Sequence, residues 1–560
     1  MRAGAMSLSS DTPMAERSAR IRPSVADPAD LLFITAVAIW LIQAVYMIGH
    51  VDSWLDEGLY LIKSSEYFSG RVRPYSLEDA TGYPPIYFYV LGAAQWLFGH
   101  GHLTGRLLSV LLSLCTLVLL RKSADRCLGS RLAAAFAVLI YAANPMVIAY
   151  MSTATPYAII TLLTLASFLV VTETKPLHPL LQSASLGVLA AALVLIRLNL
   201  AATLPMFAAL HLLASGHGQK RALATLGGAA LVAGACLGVS IMIFGHGLFE
   251  TLTFLPGLTQ ILWRFTDVGT EMHDVLTLTR SPNDLQFSWP VVREVANRYF
   301  LQLYPALLLP AIPGGVLSLM HFRRIPLAGF CTLYFVVMTL VHLLGSQSYC
   351  PPCLMAYANY FLPFAAIPAA LCLVTVGARI PVFAGRTGLI LFLLAADYYV
   401  ASKSRLGMLI PDWWTNSLVN VQALAQSLKP LLPDGRILVL SDKYQPVQAV
   451  WLAGRFIEPY SVSLFPNLRE PLVGLDAETK AKARHALQMR GFRDATALID
   501  DLNRPTAAVA LQETPPLSDM LALYLGKPNA EQVENTLRER YSKIGHASEG
   551  GVTISVWMPK

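Results

Sequence analysis

Leu31-Leu32-Phe33-Ile34-Thr35-Ala36-Val37-Ala38-Ile39-Trp40 opens an apolar segment that runs on to His50, and Trp54-Leu55-Asp56-Glu57-Gly58 follows almost at once. About 20 apolar residues are enough for a helix to cross the hydrocarbon core of a bilayer. The first segment therefore reads as a transmembrane helix, and two adjacent carboxylates sit where it leaves the membrane. Charge placed so close to a bilayer is costly, and its default reading is functional. After the acidic pair comes Gly82-Tyr83-Pro84-Pro85-Ile86-Tyr87-Phe88-Tyr89, a Pro-Pro step leading into an aromatic run.

Composition extends this reading to most of the chain. The 560 residues are 55% hydrophobic and 14% charged, with a mean hydropathy of +0.51. Soluble domains carry roughly 25% charged residues. Further spans are expected near 105–120, 131–151, 155–172, 180–197, 199–214, 222–244, 300–320, 326–345, 358–377 and 388–403. Residues 404–560 are polar and mixed in charge, which marks a second, soluble domain. The expected architecture is an α-helical polytopic membrane protein of about 11–13 transmembrane helices with a soluble α/β domain at its C-terminus. Residues 1–29 form a tail, 30–403 the membrane domain and 404–560 the soluble domain. The Leu31–His50 segment is too long for a signal-peptide core and no small-residue cleavage site follows it, so it reads as retained.

The net charge of +7 is distributed unevenly. Arg121, Lys122, Arg126, Arg131, Lys220, Arg221, Arg323, Arg324, Arg379 and Arg386 gather in short connections between apolar runs. The positive-inside rule places those connections in the cytoplasm. The run 85–99 is apolar but short. Read as an interfacial helix rather than a span, it keeps every basic connection on one side. Asp56 and Glu57 then lie on the outer face, in a first outer loop of residues 51–105. Outer loops 245–299 and 346–357 follow, and the soluble domain shares their side. A basic stripe with interleaved soluble aromatics is missing, which excludes a nucleic-acid-binding class.

In the soluble domain, Ile437 to Ser441, Ala507 to Leu511 and Val552 to Trp557 read as strands, and Glu478 to Met489 reads as a helix. It contains neither a phosphate-binding glycine motif nor a metal-ligand spacing. Cys350-Pro351-Pro352-Cys353 lies in the third outer loop, where a local disulfide and two free thiols are both open readings.

Two readings of Asp56-Glu57 stand on residue chemistry alone. The pair caps an interfacial helix whose apolar positions are Leu59, Ile62 and Phe68, or it performs acid-base work. A carboxylate within reach of an acceptor hydroxyl takes its proton as the hydroxyl attacks an electrophile. If that electrophile is the anomeric carbon of a sugar phosphate, the leaving phosphate needs cations or a metal. Lys63, Arg71, Arg73, Arg197, Arg264 and Arg298 are candidate cations. Glu78 and Asp79 form a second acidic pair, read as a solvated loop or as an acceptor or metal site with Tyr83. Arg197 either snorkels to the interface or binds an anion.

The order of these elements carries a resemblance. The acidic pair, Pro84-Pro85, Leu97-Phe98-Gly99 and Thr104-Gly105-Arg106-Leu107-Leu108-Ser109 resemble, in sequence, the membrane-embedded GT-C glycosyltransferases of the protein O-mannosyltransferase and aminoarabinose-transferase type. Thr155-Pro156-Tyr157-Ala158, Arg197-Leu198-Asn199 and Tyr357 to Pro363 look like further elements of that family. The resemblance covers most of residues 30–400. It implies a bacterial cytoplasmic-membrane enzyme, a hexosyl- or pentosyltransferase, that takes a sugar from a polyprenyl-phosphate donor. The sugar passes to a cell-envelope glycan, lipid or protein on the periplasmic side. Asp56 would be the base, with Glu57 positioning it. Arg197, Arg264, Arg298 and Lys63 would bind the donor phosphate, and a divalent metal is possible.

The family's cationic positions before Pro-Pro and at two later motifs are occupied here by Gly82-Tyr83, Thr155 and Asn359. Phosphate recognition would then rest on Arg197 and the arginines of the second outer loop. A translocase of lipid-linked sugars, and a ligase or polymerase using a diphosphate-linked donor, are the alternatives. The translocase should show inverted repeats with paired broken helices, and the sequence shows none.

Overall fold

The computed structural model describes residues 27–50, 55–75, 84–173, 178–214, 218–245, 247–249, 293, 305–346, 357–379, 388, 395, 421–434, 436–441, 444–454, 456–457, 462–463, 495–503, 508–514 and 527–560. The membrane part comprises α1 (Pro28–His50), α2 (Leu55–Phe68), α3 (Ile86–Phe98), α4 (His102–Leu128), α5 (Arg131–Ala142), α6 (Pro145–Met151), α7 (Tyr157–Val171), α8 (Pro179–Ile196), α9 (Thr203–Ala214) and α10 (Gln219–Phe244). After these come α11 (Pro305–Met320), α12 (Pro326–Ser346) and α13 (Leu362–Arg379). Among the described residues four helices, α1, α4, α8 and α10, are long and apolar enough to cross a membrane. Seven shorter apolar helices accompany them. Ile34, Ile42, Leu180, Leu231 and Met242 point outward from these helices, as they must where lipid is the solvent.

Helix boundaries follow local chemistry. Gly129 closes α4 in the left-handed region at φ 60°, a conformation glycine adopts without a Cβ penalty. Ser130 then caps α5 by accepting a hydrogen bond from the Ala133 N–H at 3.3 Å, as N-cap serines do. The expected 131–151 span is two helices, α5 and α6. Asn144 Oδ1 accepts from the Val147 N–H at 3.2 Å, and Pro145 opens α6, where its missing N–H costs nothing. The expected 388–403 span and the 478–489 helix lie outside the described residues, apart from positions 388 and 395.

Ion pairs mark the two ends of the bundle. At one end Arg131 pairs with Asp27 at 2.7 Å and Asp30 at 2.9 Å, Arg121 with Asp30, and Arg126 with Glu173 at 3.0 Å. This gathers the start of α1, the end of α4, the start of α5 and the end of α7. At the other end the last turn of α1 meets α2 and the first turns of α4. Helix α4, with 27 residues, separates the ends by about 40 Å at about 1.5 Å per residue. The acidic helix α2 and the basic connection 121–131 therefore lie at opposite ends of the bundle.

The C-terminal region is a three-layer α/β fold. Helices α14 (Val421–Leu428), α15 (Tyr444–Leu452), α16 (Ala495–Asn503) and α17 (Lys527–Arg540) flank strands β1 (Arg436–Ser441), β2 (Phe456–Ile457), β3 (Val462–Ser463), β4 (Ala508–Thr514), β5 (Tyr541–Glu549) and β6 (Val552–Pro559). The sheet runs β2-β1-β4-β6-β5, with β3 also on β1. Strand β1 pairs with β4 in parallel, whereas β4–β6 and β5–β6 are antiparallel. Successive side chains of a strand face opposite sides. Accordingly Ile437 and Val439 pack under α14 and α15, while Leu438 and Leu440 pack under α16 and α17. Gly550 and Gly551, both at positive φ, turn the β5–β6 hairpin in the manner of two-residue loops.

Helix α2 lies between the two parts. Gly92 of α3 lets that helix approach so closely that a Cβ there would sit 2.3 Å from the Ser64 carbonyl oxygen. Gln95 of α3 donates to the Leu61 carbonyl at 2.9 Å and to Ser64 Oγ at 2.7 Å. On another side Ile62 joins the apolar layer formed by α14 and α15. The helix is thus packed within protein along most of its length, although its sequence reads as interfacial.

Candidate active site

Glu57 is the organising residue. Its side chain has no exposure, and that of Arg106 has 5%. Arg106 donates from Nε to Oε1 and from Nη2 to Oε2, both at 2.8 Å. The Ala154 N–H donates to Oε1 at 2.9 Å, and Arg106 Nη1 donates to the Ile48 carbonyl at 2.9 Å. Planar two-point pairing of this kind is what a guanidinium provides and an ammonium does not. Burial works to raise the Glu57 pKa, but the Arg106 charge and hydrogen bonds, aided by the Ala154 N–H, hold it below its ordinary value. Glu57 is therefore a fixed carboxylate with both oxygens engaged, and it ties α1, α2, α4 and the α6–α7 connection together. A Cβ on Gly105 would lie 2.5 Å from that of Ala154, so glycine is what lets α4 reach this crossing.

Asp56 sits beside it, in the first turn of α2. Its position is one helical turn before Tyr60, and residues four apart share a helix face. Arg197 arrives on that face from α8. The helix ends where Arg197 turns extended at φ −152°, ψ 121°. Its guanidinium donates to the Tyr60 hydroxyl, with its central carbon 5.9 Å from the Tyr60 ring centroid and 5.6 Å from that of Tyr357. Tyr357 stacks on Tyr360 at 5.8 Å, Tyr360 meets Tyr157 at 5.6 Å, and Tyr157 meets Tyr150 at 5.2 Å. Tyr87, from the aromatic run after Pro-Pro, packs edge-on to Tyr60 at 5.4 Å. Sequence elements centred on residues 56, 87, 106, 157, 197 and 357 thus meet at one end of the bundle.

The remaining candidates divide. Lys63 is buried and donates to Glu66 at 2.8 Å, an intrahelical pair that engages its charge. Arg71 and Arg73 are exposed beyond the end of α2. Arg264, Arg298, Glu78, Asp79, Tyr83 and the Cys350–Cys353 pair lie outside the described residues. Thr155 and Asn359 are fully buried. Among the described residues no group of three His, Cys, Asp or Glu side chains is placed to hold a metal.

Arg106 stands within the Thr104–Ser109 motif, which by itself assigns it no role. Its signal was a lone arginine in the first turns of an apolar helix, a charge that has to find a partner. Nothing in the sequence pointed to His102 or Gln448. His102, in the first turn of α4, is buried near Gln448 of α15 and interacts electrostatically with Glu57 and Arg106. Its ring lies edge-on to Trp451 at 6.4 Å.

No family model matches the sequence, and no curated protein matches it. The fold does have solved counterparts. ArnT from Cupriavidus metallidurans, solved bound to undecaprenyl phosphate, superposes with a TM-score of 0.57 at 14% identity, covering 94% of this chain and 97% of that one. An oligosaccharyltransferase from Archaeoglobus fulgidus, tethered to an acceptor peptide, gives 0.47 at 11% identity over 94% and 74%. ArnT in its apo state gives 0.40 at 15% identity over 94% and 97%. The protein is accordingly a multi-pass membrane protein that shares the fold of ArnT, with its acidic helix at the end opposite the basic connection.

Proposed function

We propose that the protein is a glycosyltransferase that moves a sugar from a polyprenyl-phosphate donor to an acceptor on the outer face of the membrane, with Asp56 as base. One observation carries this reading. In a fold shared with a polyprenyl-phosphate-binding protein, Arg197 is delivered to the α2 face one turn from the Asp56 position. Inverting transfer from a phosphate ester requires a base and a cation on opposite faces of the anomeric carbon: the base removes the acceptor proton while the cation carries charge on the departing phosphate. Glu57 holds the helix through Arg106, and Tyr60 and Tyr357 orient the guanidinium. Arg264 and Arg298 of the second outer loop would complete phosphate recognition. Glu78, Asp79 and Tyr83 would receive the acceptor or a divalent ion, and Lys63 would act through Glu66. The acceptor is an envelope glycan, lipid or protein reached from the periplasmic side, where the C-terminal domain would lie.

The test is the fate of radiolabelled polyprenyl-phosphate sugars mixed with purified protein and native envelope extract. Wild type should release polyprenyl phosphate and label an acceptor. Asp56→Asn should do neither while keeping the wild-type melting temperature. Full activity in Asp56→Asn would remove Asp56 as base. Intact donors across the panel would favour a translocase or a diphosphate-donor enzyme.

A further inference from the structure

The C-terminal domain meets the acidic helix at Gly58, two positions after Asp56. A Cβ there would lie 1.7 Å from the side-chain nitrogen of Gln448, 2.1 Å from its amide carbon and 2.4 Å from its γ-carbon. Only glycine leaves the notch that Gln448 fills. Gln448 is completely buried, although it belongs to a helix of the soluble domain. It lies near His102, which stands at the head of α4 one turn before Arg106 and meets Trp451 edge-on at 6.4 Å. Trp451, one turn further along α15, packs on both the membrane core and the soluble core. Ile62, one turn along α2 from Gly58, joins the soluble core as well.

A buried amide is costly unless it is hydrogen-bonded. An exposed glutamine and an alanine would suffice for mere attachment of two domains. Here a polar side chain is buried in a glycine notch beside the Asp56–Glu57 positions, and its helix packs through Trp451 on His102 of the helix that supplies Arg106. We propose that the C-terminal domain takes part in the reaction by fixing the acidic helix, with Gln448 and His102 as positioning residues that set the orientation of α2. This rests on the glycosyl-transfer reading above. The two residues touch neither the donor nor the acceptor; they act through the helix that carries the base.

Hydrogen exchange on the full-length protein reads the docking without reference to activity. Gln448→Ala should raise exchange of the α2 amides by about tenfold. Gly58→Ala should raise it further, since the added methyl drives into Gln448. The double variant should return to the level of Gln448→Ala alone, because the obstructing side chain is gone. Turnover of the labelled donor should follow the same order, with kcat falling about tenfold and the donor KM within about twofold. Equal exchange in all four proteins overturns the inference. Exchange in the expected order with unchanged kcat also overturns it, for the domain would then dock without positioning anything. A wild-type protein that turns over no polyprenyl-phosphate sugar sinks the function proposed above, and the exchange order alone then decides whether Gln448 fixes the helix.

Discussion

Removing Arg106 is the most incisive perturbation of the site. Arg106→Ala deletes both 2.8 Å bonds to Glu57 and the 2.9 Å bond to the Ile48 carbonyl. It leaves a carboxylate with no exposure held by the Ala154 N–H alone among the bonds described above. Breaking a buried pair by removing one partner costs about 3–5 kcal/mol, because the stranded charge has lost its compensation. That is roughly two to three and a half decades in the folded-to-unfolded ratio. Glu57→Gln should cost a similar amount, since it strands the guanidinium instead. Replacing both together, Glu57→Leu with Arg106→Met, should recover most of the loss. The assay is equilibrium denaturation in detergent micelles, followed by circular dichroism.

The same pair sets an acid limit. The Glu57 pKa is lowered on folding from its ordinary value of 4.5. The stability it contributes is complete above that value and is lost as pH falls through the depressed folded value. Wild type should therefore soften at acid pH in a way that Glu57→Gln does not. An Arg106→Ala protein within about 0.5 kcal/mol of wild type, at the level of an ordinary surface substitution, would refute the role assigned to this pair.

Arg197→Ala should weaken binding of polyprenyl phosphate about tenfold or more, since a charge-assisted contact contributes about 1.5–3 kcal/mol; unchanged affinity by titration calorimetry would take Arg197 out of the site. Gly92→Ala should cost about 1–3 kcal/mol as α2 and α3 are forced apart, measured by the same denaturation. Gly227→Ala in α10, where a Cβ meets nothing within 4 Å, is the control and should be neutral or stabilising by up to about 1 kcal/mol.

Legibility in the sequence followed the physics of each element. Helices α1, α4 and α10 were readable because their apolar runs exceed the length a bilayer demands. The α5–α6 break was not, since Asn144-Pro145 lies inside an otherwise unbroken apolar stretch and hydrophobicity averages over it. In the soluble domain β1, β4 and β6 announced themselves by apolar runs. Strand β5, Tyr-Ser-Lys-Ile-Gly-His-Ala-Ser-Glu, did not, because as an edge strand it keeps polar side chains in solvent. The acidic pair stood out by its place beside a span, yet residue chemistry alone did not tell its two residues apart; only the resemblance to the glycosyltransferases assigned them different roles. That distinction depends on partners 49 and 97 residues away, and long-range pairing leaves no local pattern. Gln448 was invisible for the same reason.

The position of α2 also orders events in time. The helix is made early, but the Ala154 amide that completes the Glu57 cage is synthesised 97 residues after it, and Gln448 belongs to the last helix-and-sheet segment of the chain. At about 5–20 residues per second, the ribosome needs tens of seconds to travel from Gly58 to Gln448. For most of that interval the nascent chain carries the Glu57 clamp without its C-terminal partner. Truncated products therefore lack the finished centre.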